Sequence, residues 1–251
     1  MSTIGKTILK LRKSNNSEMK RQLKRFIKKT ILLFDKDFFD RGKGGQAINF
    51  TDASELLEIG YGHLESLRTR SCINGDGEQI PWFTYPSIEY LDQLDLSEKV
   101  MLEWGAGNSS IYFSKRVKEI VSIESDREWY EKIREDAIAN QELYFAVEDY
   151  ATKPNTLNRK FDIILIDGIK REECAQQVMG LINNKGLIIL DNSDRYPDIA
   201  SYFRDNGYIQ VDFHGFGPIN NYTWTTSVFL DREIDLKPIS HQPVIPIGGG
   251  Y

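Results

Sequence analysis

Short apolar runs alternate with helix-period segments through the middle of the chain. Val100-Met101-Leu102 reads as a buried strand, followed by Glu103, Gly105 and Gly107, then a helical stretch through Ile111, Tyr112 and Phe113. A second run, Ile120-Val121-Ser122-Ile123, ends in Glu124. Leu143–Val147, Phe161–Ile166 and Leu187–Leu190 are three further strand candidates. The second of these is continuously apolar, as a strand covered on both faces must be. Helical spacing fills the intervals. Trp129, Ile133 and Ile138 follow a Ser125/Glu128 capping box, and Cys174, Val178, Leu181 and Ile182 precede a stop at 183–186. A later helix ends at Asn206-Gly207. Tyr208–Phe213 and Thr223–Leu230 have no helix between them and are expected to pair as an antiparallel hairpin. The pattern predicts an α/β protein: a Rossmann-like, doubly wound, mostly parallel sheet with a C-terminal antiparallel hairpin and an N-terminal helical extension.

The first two runs form a strand, glycine turn, helix, strand and acid in that order. Gly105 and Gly107 allow a tight turn and a close approach of backbone to ligand. Asn108 or Ser109 is expected to cap the new helix and leave N–H groups facing a ligand. Glu124 stands about twenty residues after Gly105, the spacing of an acid that binds ribose hydroxyls. The third glycine of the dinucleotide fingerprint is replaced by Ser110.

The pattern Glu103-x-Gly105-x-Gly107-x-Ser109 resembles motif I of class I S-adenosylmethionine-dependent methyltransferases, and the resemblance spans roughly residues 81–230. It implies that Glu103, Gly105, Gly107, Asn108 and Ser109 border the methionine part of the cofactor and that Glu124 takes the ribose. Asp149, at the end of the third strand, borders the adenine or is a solvated turn acid. The fourth and fifth strands end in Asp167-Gly168-Ile169-Lys170 and Asp191-Asn192. These tips resemble metal-dependent catechol and caffeoyl-coenzyme A O-methyltransferases, although Gly168 stands where that family has bulky residues. The resemblance implies Mg²⁺ on Asp167, Asp191 and Asn192, with Lys170 as the base; otherwise the two acids only bound the cofactor pocket, Asp167 among its contacts. His214, in the 214–222 segment between the last two strands, is the alternative base or a structural histidine. Trp82, Phe83 and Tyr85 are either a lid or core.

The implied activity is O-methylation of a small or sugar-like hydroxyl acceptor. An NAD-dependent oxidoreductase, or a non-catalytic membrane-surface protein retaining the fold, are the alternatives. The boundaries read from the sequence are 1–80 for a basic amphipathic helix, linker and helical extension, 81–235 for the cofactor-binding domain, and 236–251 for a tail.

Composition adds a few constraints. The 251 residues carry a net charge of −5 and are 40% hydrophobic, enough for one sizeable core. Residues 1–30 hold ten Lys or Arg against one acid, while the remainder is acidic, which disfavours nucleic acid as a partner of the main domain. Met19, Leu23, Phe26, Ile27, Ile31 and Phe34 give residues 18–34 one apolar face. That face is expected to pack on the domain or on a second subunit in a homodimer, the alternative being peripheral contact with the inner membrane surface. Cys72 and Cys174 match no metal or redox spacing and are expected to be free thiols of a reducing cytoplasm.

Overall fold

Runs that are apolar at every position become strands with both faces covered. In the computed structural model, which describes residues 50–135 and 138–249 together with Ile27, all seven expected strands are present. They are β1 (Val100–Trp104), β2 (Glu119–Glu124), β3 (Gln141–Phe145), β4 (Phe161–Ile166), β5 (Ile182–Asp191), β6 (Ile209–Gly215) and β7 (Trp224–Leu230). They form one sheet in the order β3-β2-β1-β4-β5-β7-β6. The first five are parallel, with Leu102 beside Val121 on one flank and Ile164 on the other. β7 runs antiparallel between β5 and β6. The last two strands therefore do pair as a hairpin, and the second of them inserts next to β5. This is the Rossmann-like, doubly wound sheet expected from the pattern.

The helices are α1 (Phe50–Glu55), α2 (His63–Thr69), α3 (Tyr85–Leu91), α4 (Asn108–Ser114), α5 (Arg127–Glu135), α6 (Arg171–Leu181) and α7 (Pro197–Asp205). One core joins Trp104, Ile123, Ile164 and Ile166 to Cys174 and Val178 of α6 and Phe203 of α7. The other joins Met101, Ile120, Ile163 and Leu165 to Phe83, Ile88, Tyr112 and Phe113. Alternate residues of β1 and β4 thus serve opposite cores, which is why neither strand carries an amphipathic pattern. Phe83 and Tyr85 are buried core residues, whereas Trp82 remains 47% exposed.

Several local expectations change. Leu56, Leu57, Ile59 and Leu64 have helical spacing, yet residues 51–68 do not form one helix: α1 ends at Glu55 and a π-turn, Leu56–Gly60, precedes α2. Gly62, at φ 73°, lies against the backbone of Asn74, where any Cβ would clash. The helix after β2 is capped not by Ser125 and Glu128 but by Asp126, whose Oδ1 accepts from Trp129 N at 2.8 Å. β5 begins at Ile182 with no loop after α6, so Ile182 belongs to the strand. Gly207 does adopt the left-handed conformation expected after α7, at φ 92°.

The tail after β7 runs back along α3, with Ile239 N donating to Gln93 O at 2.9 Å and Val244 N to Gln93 Oε1 at 3.1 Å. Cys72 and Cys174 are free and buried. Apart from Ile27, the amphipathic segment 18–34 lies outside the described residues, as do residues 35–49. Among the described residues no helix is long and apolar enough to cross a membrane.

Candidate functional site

The chain winds outward from β1 in both directions, so the carboxyl ends of β1, β2 and β4 frame a crevice, the usual ligand position in such a sheet. A cavity of about 480 Å³ occupies it, within the ~300–1,000 Å³ range of small-molecule sites. Its floor is the turn Gly105-Ala106-Gly107 with Asn108 and Ser109. Gly105 sits at φ 98°, and a Cβ there would stand 2.8 Å from Gly168 N. Gly168 is itself required, because a Cβ would overlap the Tyr150 hydroxyl. Two glycines therefore bring the tips of β1 and β4 into contact, which explains why the bulky residues of the O-methyltransferase pattern are absent after Asp167.

The helix after the turn is not capped by Asn108 or Ser109. Both lie inside α4, and its N-cap is Gly107, whose N–H donates to Ser110 Oγ at 3.0 Å. Asn108 Nδ2 instead donates to Cys72 O at 2.9 Å. The hydroxyls of Ser109, Ser110 and Ser122 all donate to Glu103. Glu103 is fully buried beneath the turn and does not line the cavity. Ser110 thus replaces the third glycine for a reason: it joins the turn backbone to this buried acid.

Burial pushes the Glu103 carboxyl up to about 7 despite the three serine donors, which oppose the shift. A carboxyl whose folded pKa is raised adds stability that is full at low pH and is lost as pH rises through about 7. Against an ordinary Glu at about 4.3 this amounts to roughly 4 kcal/mol. Glu103→Gln should remove that dependence. The melting temperature of the parent chain is expected to fall relative to the variant between about pH 4 and about pH 7. Parallel melting curves across that range would contradict this account of Glu103.

Glu124 does reach the cavity wall, with only 7% of its surface exposed. Its Oε2 accepts from Ala106 N at 3.0 Å and its Oε1 from Ser125 N at 2.6 Å and Asp126 N at 2.7 Å. The strand-tip acid therefore locks the glycine turn as well as facing the crevice. Of about four lone-pair directions on a carboxylate, three are taken, which leaves room for one further donor rather than two. Trp129 closes the same side, its indole N–H donating to Ala106 O at 2.5 Å and Lys132 lying 4.3 Å from its ring. Asp149 is exposed in the turn after β3 and does not line the cavity.

At the tips of β4 and β5 the expected cation is a protein side chain. The Arg171 guanidinium donates to Asp167 Oδ1 at 3.0 Å, to Asp167 O at 2.9 Å, to Gly168 O at 3.0 Å and to Asp191 O. The Asp191 carboxylate turns away into β7, where Oδ1 accepts from Thr226 Oγ1 at 2.6 Å and Trp224 Nε1 at 3.0 Å. Asn192 follows in the left-handed conformation, φ 52°. These three side chains do not fit an Mg²⁺ site: one acid is already paired with arginine and the other is directed at donors of a neighbouring strand. Among the described residues no group of three His, Cys, Asp or Glu is placed to hold a metal. Asp167 does line the cavity, and burial, followed by the charge of Asp191, pushes its carboxyl well above the usual range.

The two expected bases are elsewhere. Lys170 Nζ donates to Val147 O at 2.9 Å and Glu148 O at 3.3 Å, and His214 Nδ1 pairs with Thr225 Oγ1 at 2.6 Å. Neither lines the cavity. The wall that sequence reading missed is the strap Thr69-Arg70-Ser71-Cys72, with Gln79; Trp82, read as lid or core, lines the cavity beside it. The strap carries no motif, and only the hydrogen bond from Asn108 to Cys72 O shows it docked on the turn. Arg171 had a readable signal, its i,i+4 spacing from Asp167.

The glycine cradle, the anchored acid at the tip of β2 and the apolar wall of Trp129 and Ile133 give the cavity a backbone-lined floor, one acceptor and one apolar side. No protein-family model matches the chain, and no curated protein matches it. Solved structures with a distant likeness include a precorrin-6y methyltransferase from Geobacter metallireducens, 17% identical, TM-score 0.48, covering 58% of this chain and 86% of the other. A methyltransferase from Pyrococcus furiosus is 18% identical, TM-score 0.43, covering 72% and 99%. Spermidine synthase from Thermotoga maritima is 18% identical, TM-score 0.43, covering 61% and 58%. The fold of this chain rests on its own strand order and register, which place the crevice and its glycine cradle at the carboxyl ends of the parallel strands.

Proposed function

We propose that this chain is an S-adenosylmethionine-dependent methyltransferase acting on a hydroxyl of a small or sugar-like acceptor. The observation that carries the reading is the cavity whose floor is the Gly105–Gly107 turn and whose two carboxylates are Glu124 and Asp167. The cofactor, when bound, supplies an electrophilic methyl group on a sulfonium. Glu124 takes a ribose hydroxyl with its remaining lone pair while holding the turn in place. Trp129 and Ile133 shield the flat base from water. Asp167 faces the cavity, where its carboxylate is placed to receive the acceptor proton. Arg171 holds its orientation and favours its charged form. Most of the rate advantage then comes from fixing the two reactants in line.

Calorimetric titration with S-adenosylhomocysteine and, separately, NADH tests the assignment. Saturable binding of S-adenosylhomocysteine without binding of NADH is the expected result. The serine at position 110 has its hydroxyl committed to Glu103 and the Gly107 N–H, which does not suit a pyrophosphate turn. Binding of NADH alone would replace the methyltransferase reading by the oxidoreductase one.

A further inference from the structure

The sheet order divides the cavity into two wings on either side of Gly105 and Asp167. Glu124, Trp129 and Lys132 belong to the β2 side. The strap docks on Asn108 at the start of α4, and Trp82 lies toward β6 and β7, because the residues that follow it are pinned there. Thr84 N donates to Thr226 Oγ1 at 3.1 Å, Thr84 Oγ1 to Phe213 O at 2.9 Å, and Tyr85 N to Phe216 O at 2.7 Å. The first wing accounts for a nucleoside. The second has groups that the methyltransferase reading does not use.

Trp82 is 47% exposed between Ile80 at 5% and Phe83 at 0%. Its buried neighbours fix the backbone, so the indole is a preset apolar plate in the cavity wall. The same cavity is lined by Ser71, Gln79 and Arg70, and by Thr69, whose hydroxyl donates to Glu65 O at 2.8 Å. Arg70 is held in the left-handed region, φ 54° and ψ 36°, a conformation that costs energy in a residue with a side chain. Among the described residues no acid pairs with Arg70 and no acceptor takes the Trp82 indole N–H. Asp167, the acid of this region, is matched by Arg171. The second wing therefore offers an aromatic face, several neutral hydrogen-bonding groups and one uncompensated cation.

We propose that the acceptor is an acidic sugar: a hydroxyl-rich ring laid on Trp82, with a carboxylate or phosphate held by Arg70. The electron-rich indole face suits the C–H face of a sugar ring, the hydroxyl and amide groups suit its rim, and a guanidinium suits a planar or tetrahedral anion. This rests on the methyltransferase reading for the fate of the hydroxyl, but the binding site itself stands on the second wing alone.

Saturation-transfer NMR on the full chain, with and without S-adenosylhomocysteine, tests it with D-glucuronate, D-glucose 6-phosphate, D-glucose and 4-hydroxybenzoate. The two acidic sugars should bind about tenfold or more tightly than glucose, and the stronger of them identifies the anion. Arg70→Gln should abolish that preference without changing glucose binding, and Trp82→Ala should weaken all three sugars; both residues are exposed, so neither variant threatens the fold. Equal binding of glucose, unchanged acid binding in Arg70→Gln, tighter binding of 4-hydroxybenzoate than of the sugars, or no saturable binding at all would overturn the proposal. Displacement of the sugars by S-adenosylhomocysteine would also overturn it, by giving this wing to the cofactor. Acidic sugars that bind to a chain which does not bind S-adenosylhomocysteine would sink the methyltransferase reading and leave this site standing.

Discussion

Arg171→Met is expected to destabilise the protein by roughly 3–5 kcal/mol, the cost of removing one partner of a buried ion pair. The guanidinium side chain is 10% exposed and that of Asp167 21%, so solvent screens the pair little. Methionine preserves much of the apolar stem, but it leaves the carboxylate of Asp167 and the carbonyls of Asp167, Gly168 and Asp191 without this donor. For a unit of this size the loss corresponds to a fall in melting temperature of about 6–20 °C. Asp167→Asn in the same background should cost less than in the parent chain, because the charge left behind is itself much of the penalty. Chemical denaturation of the four members of this double-mutant cycle checks both statements. A loss below about 1 kcal/mol for the arginine variant would place the pair among surface bridges of little consequence.

Glu124→Gln is expected to lower affinity for S-adenosylhomocysteine about 10–100-fold, or roughly 1.5–3 kcal/mol. An amide in place of this carboxylate is not a neutral change. Both oxygens accept from backbone N–H groups, so whichever position the amide nitrogen takes, a donor faces a donor. The variant therefore disturbs the glycine turn as well as the ribose contact. Glu124→Ala should weaken binding by a similar factor, without the repulsion but with three unpaired donors. Calorimetry with both variants decides the point, and an unchanged affinity in both would remove Glu124 from the site.

Much of the architecture was readable from local pattern. The run Phe161–Ile166 is β4 residue for residue, and the alternation of apolar runs with helical spacing gives the parallel sheet. Errors fell where a boundary depends on a contact made elsewhere. The helical spacing through 51–68 was real, yet the chain breaks at Gly60 and Gly62 because the Asn74-Gly75 turn packs directly on their backbone. Ser125 and Glu128 have capping-box spacing, but Asp126 lies one residue nearer the helix and takes the donor first. Of the expected site residues, Gly105, Gly107, Asn108, Ser109, Glu124 and Asp167 line the cavity, whereas Glu103, Asp149, Lys170, Asp191, Asn192 and His214 do not.

That division has a physical cause. Periodicity and glycine placement record how each segment meets its own surroundings, so the sequence by itself determined the strands, the tight turn after β1 and the acid at the tip of β2. It could also place five acids at or near strand ends. Which way each acid points is decided by what stands across the sheet. Glu103 turns inward because three serines meet it there, Asp191 because Thr226 and Trp224 do, and Asp167 remains at the crevice because Arg171 holds it. The strap that carries Arg70 and the segment that carries Trp82 are placed by contacts far along the chain, Cys72 O with Asn108 and Thr84 N with Thr226. Sequence spacing cannot express such contacts, because they exist only once the strand order has brought the tips together.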